Sequence, residues 1–198
     1  MRSVGTTDNF IFSCLDAFDL IQFSQTCREA YHRVDSYRNS AHNIYKTLSR
    51  YFTHDQIEQF RRLQSTTGTL VSGSTALTFF DRTRYEGSDL DIYVQLGYST
   101  QVALFLRDIA GYTFGPRPSQ FEDLEASLTS VAERHAQFRG DDYALEGIAD
   151  IYDFFRDGKK VQLMVAFNSP LEIILAFHTS KFRCLTVVFV FTTGQHVS

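Results

Sequence analysis

Apolar positions recur at steps of three and four residues from Phe10 to about Leu63, the spacing of helices that each bury one face. Leu20, Phe23 and Cys27 share a face behind Asp16, which is placed to cap a first turn with Asp19 three residues on. Tyr37, Ala41, Ile44, Leu48 and Tyr51 make one helical stripe, and Ile57, Phe60 and Leu63 follow Thr53 and Asp55. These spacings predict an all-helical head over residues 1–65. From Thr66 the character changes. Leu70 and Val71, a β-prone pair, run into a Gly-Ser turn at Gly73 and Ser74, Thr75 to Phe80 reads as a helix, and Leu90 to Leu96 alternates as a second strand around Asp89 and Asp91.

Ser99 is the expected N-cap of a further helix whose face is Val102, Phe105, Leu106 and Ile109, with Gly111 as its C-terminal glycine. The stretch GYTFGPRP reads as a loop. Phe121, Leu124, Leu128 and Val131 then predict an amphipathic helix with an acidic outer face. Two β-rich runs, ADIYDFF and VQLMVAF, flank Asp157-Gly158, a strong two-residue hairpin signal. Ser169 and Pro170 open one more helix. The run LTVVFVF near the end reads as a buried strand or an aggregation-prone segment, and the end itself as truncated or aberrant. The fold class expected is α+β: a small mixed β-sheet with flanking helices over residues 66–198, preceded by the helical head.

Composition narrows the function. The 198 residues carry 19 Lys+Arg against 23 Asp+Glu, a formal charge of −4, which leaves no strong footprint for a nucleic-acid backbone. Cys14, Cys27 and Cys184 are odd in number and lack CxxC spacing, so a reducing, intracellular compartment, cytoplasmic or nuclear, is expected. Neither a signal peptide nor a membrane span is read, and no membrane partner is expected.

The chemistry concentrates in Leu70-Val-Ser-Gly-Ser-Thr-Ala-Leu followed by Asp89-Leu-Asp-Ile-Tyr93. Gly73 permits a tight strand-to-helix turn, and Ser74 with the following backbone amides suits a phosphate. Asp89 and Asp91, two apart on a strand, face the same way and suit Mg²⁺ shared with substrate phosphates. In this order the residues resemble the signature of the DNA polymerase β-like nucleotidyltransferase superfamily. A helical head, itself F-box-like in the segment quoted below, followed by this Gly-Ser/Asp-x-Asp domain is similar to a group of uncharacterised fungal proteins. The resemblance implies Mg²⁺-dependent transfer of a nucleotidyl group from a nucleoside triphosphate to an unidentified acceptor. Asp89 and Asp91 would be the metal ligands, and Gly73 and Ser74 would hold phosphates.

The family places a third carboxylate on a later strand, where this chain has Gln162. A two-residue loop at Asp157-Gly158 would set Asp153 opposite Gln162, on the same face, making Asp153 either a replacement catalytic carboxylate or a solvated hairpin residue. Lys159, Lys160, Arg82 and Arg84 are within the regions that could touch phosphates or merely carry surface charge. The segment FIFSCLDAFDLIQFSQTCREAYHRV also resembles part of an F-box, which implies a Skp1-like partner; the alternative is a helical cap on the second domain. Three readings stand: an active nucleotidyltransferase, a fold-retaining binding protein without turnover, and an F-box-like adaptor.

Overall fold

The computed structural model describes residues 6–41, 43–81, 87–137 and 147–176. The chain divides into two compact units, residues 1–44 and 45–198. The division falls earlier than the expected 65/66 boundary. Its cause lies in the stripe from Tyr37 to Tyr51, which is split between two helices and serves two cores: Tyr37 is buried in the first unit, Leu48 and Tyr51 in the second.

The first unit contains α1 (Thr6–Ser13), α2 (Ala17–Ser24) and α3 (Arg28–Ala41). Asp16 caps α2 as expected, its carboxylate accepting from the Asp19 amide at 2.8 Å. Phe12, Leu20, Val34 and Tyr37 form a small core, with Phe12 against Phe23 and Tyr37 at ring separations of 5.5 and 5.3 Å. An Arg33–Asp8 ion pair ties α3 to α1. Phe10, Ile11, Phe18, Ile21 and Tyr31 remain exposed.

The second unit begins with α4 (Ile44–Leu48), whose first residue lies at the division, and α5 (His54–Thr67). A capping box starts α5: Gln56 and Thr53 each bond the other's backbone amide. Then come β1 (Leu70–Ser72), α6 (Gly73–Asp81), β2 (Leu90–Gln95), α7 (Ser99–Leu104), β3 (Thr113–Gly115), α8 (Leu124–Gln137), β4 (Ile148–Arg156), β5 (Lys159–Ala166) and α9 (Pro170–Ala176). A 3-10 turn precedes α7, so the N-cap is Tyr98; Ser99 lies inside the helix and its hydroxyl bonds back to the Leu96 carbonyl at 2.8 Å. A wide π turn over Phe105–Ile109 carries the chain toward Gly111, closed by the Ala110 amide on the Phe105 carbonyl. The GYTFGPRP stretch is not wholly a loop, because β3 pairs antiparallel with β4.

The five strands form one mixed sheet in the order β1-β2-β5-β4-β3. β2 and β5 run parallel; the other neighbours are antiparallel. Asp157 and Gly158 both have positive φ, at 50° and 70°, and close β4 and β5 as a tight hairpin with Asp153 opposite Gln162. One sheet face is apolar: Leu90, Ile92, Val94, Val161, Leu163 and Val165 are fully buried. Each contributes about 1.5–3 kcal/mol of burial, so this face fixes the pairing register. LTVVFVF, Cys184, Arg82 and Arg84 lie outside the described residues.

Candidate functional site

Register places five residues in one row across the opposite face. Ser72 pairs with Asp91, Asp91 with Gln162, Gln162 with Asp153, and Asp153 with Gly115. Side chains of directly paired residues leave a sheet on the same side, so the three polar groups of β2, β5 and β4 stand together. Toward one end of this face α9 covers Leu70, Tyr93 and Met164 with Ile173 and Ile174. The face is thus half apolar and half polar, with the carboxylates at the polar end.

The Gly-Ser turn is built around Asp91. Gly73 has φ +70°, and a Cβ added there would lie 1.9 Å from Asp91 Oδ2. Only glycine permits this approach of backbone to carboxylate. Burial pushes the Asp91 carboxyl up to about 6; the Asp89 charge adds to the rise and Lys160 opposes it. The backbone that leads into β2 is pinned from two sides: Tyr51 Oη donates to the Ser88 carbonyl at 2.7 Å, and Thr75 Oγ1 donates to the Asp89 carbonyl at 2.9 Å. Tyr112 Oη in turn donates to the Tyr51 carbonyl at 2.9 Å.

Asp153 faces the row as the register argument expects, but its carboxylate is heavily engaged. Arg117 grips it with Nε on Oδ2 at 3.0 Å and a second nitrogen on Oδ1 at 3.1 Å. Gln162 Nε2 donates to Oδ1 at 2.8 Å, and Lys160 Nζ lies 3.3 Å from the same oxygen. Burial works to raise this carboxyl, yet the hydrogen bonds from Arg117 and Gln162 and the charges of Arg117 and Lys160 hold it below its ordinary value. Lys160 Nζ also lies 3.9 Å from Asp89 Oδ2. The ammonium therefore bridges two carboxylates, one just before β2 and one on β4.

These groups do not fit a resident pair of Mg²⁺ ions. Asp89 and Asp91 converge, but the third position of the row is the neutral Gln162, Asp153 is committed to Arg117, and a fixed cation stands between Asp153 and Asp89. Among the described residues no group of three or more His, Cys, Asp and Glu is arranged to hold a metal. Beside Asp89 a cleft of about 320 Å³ is lined by Arg50, Tyr51, Ser88, Lys159 and Lys160 with the glycines 87 and 158. Three of these side chains are cationic, so the cleft suits an anion better than a second cation.

The structure thus brings together Gly73, Asp89, Asp91, Gln162 and Asp153, with Ser74 at the start of α6. Sequence reasoning missed Arg117, Tyr51 and Thr75. Thr75 had a signal, since it directly follows the Gly-Ser pair; Arg117 sits 36 residues from its partner in a stretch read as loop.

Comparison with known proteins adds one finding for the first unit. The family model of the F-box domain matches residues 9–41, which span α2, α3 and most of α1. No curated protein matches the chain, and no solved structure matches it. No helix among the described residues is long and apolar enough to cross a membrane.

Proposed function

We propose that the chain is an F-box adaptor: residues 9–41 dock on a Skp1-like protein, as F-box domains typically do, and the second unit is the module thereby presented to another partner. The observation that carries this reading is the F-box match over a helical unit with its own core. That unit leaves Phe10, Ile11, Phe18 and Ile21 exposed, apolar side chains of the kind that anchor an interface. An intracellular setting goes with this role. Co-purification with a Skp1-like protein tests it. The expected result is a stable complex that Phe18→Asp with Ile21→Asp weakens at least about tenfold while the unit stays helical; absence of a complex with the wild-type chain rejects it.

A second reading is favoured by the close seat of Gly73 under Asp91. On this reading the second unit keeps a nucleotidyltransferase-like arrangement and binds a nucleoside triphosphate at Gly73, Ser74 and the cationic cleft without transferring it. Retained transfer to an acceptor is disfavoured by Gln162 and by the engagement of Asp153. Calorimetry with ATP, with and without Mg²⁺, tests binding, and labelled triphosphate incubated with cell extract tests transfer. Binding without incorporation is expected. Incorporation abolished by Asp89→Ala and Asp91→Ala would restore the enzyme reading.

A further inference from the structure

The position of Lys160 deepens the second reading. Its neighbours come from three strands or their ends: Asp89 just before β2, Asp153 on β4, and its own place on β5 directly opposite Phe155. The side chain is about three-quarters buried, and its ammonium lies 3.9 Å from Asp89 Oδ2 and 3.3 Å from Asp153 Oδ1. Asp91, whose carboxyl feels the Lys160 charge, completes the group. A lysine placed this way does what a bound cation does in a carboxylate cluster: it relieves repulsion between acids held on one sheet face.

We propose that Lys160 is the resident cation of this cluster, standing where a divalent ion would bridge the carboxylates and making any ligand bound beside Asp89 independent of divalent metal. The argument is one of charge. Asp89, Asp91 and Asp153 bring three negative charges, and Lys160 with the bidentate Arg117 already returns two positive ones. A divalent ion between Asp89 and Asp153 would meet the ammonium at contact distance and add more charge than the cluster can balance, so ion and ammonium exclude each other. The exclusion follows from the charges and distances within this cluster. The kind of ligand, a phosphate-bearing anion held by Arg50, Lys159 and Lys160 in the cleft, rests on the second reading.

Mn²⁺ binding to the full chain, followed by loss of the free-ion electron paramagnetic resonance signal, tests the exclusion. The wild-type chain is expected to take up Mn²⁺ weakly, and Lys160→Met or Lys160→Gln to take it up at least about tenfold more tightly. Asp89→Asn combined with Lys160→Met should remove the gain. Thermal melts confirm folding, and the wild-type measurement stands even where a variant does not fold. Tight Mn²⁺ uptake by the wild-type chain that Asp89→Asn abolishes would overturn the proposal, as would folded Lys160 variants with no gain. Binding of ATP in EDTA and with Mg²⁺, read separately by calorimetry, distinguishes the ligand: no binding in either, with the Mn²⁺ pattern as expected, sinks the nucleotide reading and leaves the resident lysine in place, whereas binding only with Mg²⁺ overturns the metal independence.

Discussion

The two faces of the central sheet are built from the same strands by alternate residues, yet they behave as different materials. One face is Leu90, Ile92, Val94, Val161, Leu163 and Val165, all fully buried. The other carries Asp91 and Gln162, each one residue away from members of the first set, and Asp153, between the buried Tyr152 and Phe154. The apolar face holds the register, and the polar row is carried into line by it. Stability and chemistry are thus separable by position, and a slip of one residue would exchange them.

Substitutions that cross from one face to the other test this separation. Gly73→Ala should be the most damaging, costing about 4 kcal/mol in chemical denaturation, because it combines a positive φ with a clash against Asp91 Oδ2. Leu163→Ala on the apolar face should cost about 3 kcal/mol, while Gln162→Ala beside it should cost under about 1 kcal/mol. Equal losses at 162 and 163 would break the comparison.

Asp91→Asn should have the opposite sign. The carboxyl is raised from 3.8 to about 6 on folding, so the protonated form is the one the folded state favours. Stability is then fully present below pH 4 or so and falls as pH rises through about 6, which leaves the penalty in force at pH 7. Removing the charge should stabilise the unit at pH 7 by up to about 3 kcal/mol and flatten its melting profile over that window. A variant that is less stable than wild type at pH 7 would show that Asp91 is well solvated. A modest effect, about 1 kcal/mol of destabilisation, is expected for Gly158→Ala: its φ equals that of Gly73, but nothing lies within 4 Å of an added Cβ. The difference between the two glycines then measures the crowding at Asp91.

Much of this separation could be read from the sequence. A period of two runs through both arms of the hairpin, and Asp157-Gly158 sets the loop length, so the opposition of Asp153 and Gln162 follows from turn chemistry. The Gly-Ser turn and the Asp pair were equally visible, because they depend on residues close in sequence. The rest depends on contacts between distant ones. β3 is three residues long, ends on Gly115 and is followed by Pro116, too short to show alternation. The Arg117 grip on Asp153 and the Tyr51 bond to Ser88 leave no periodic trace. The division at 44/45 was hidden because an unbroken helical stripe looks the same whether it serves one core or two.

The parallel pairing of β2 with β5 sets when the site can exist. The β4–β5 hairpin closes a two-residue loop and belongs to the microsecond class of events, but Leu90 lies beside Val161, about 70 positions later in the chain. That long closure carries a larger entropic cost than the hairpin, and is expected to follow it in folding. Asp91 is then expected to meet Gln162 only once most of the second unit has assembled. Amide exchange should find the β2–β5 bonds opening with the global transition, so that no partly folded form carries the assembled row of Asp91, Gln162 and Asp153.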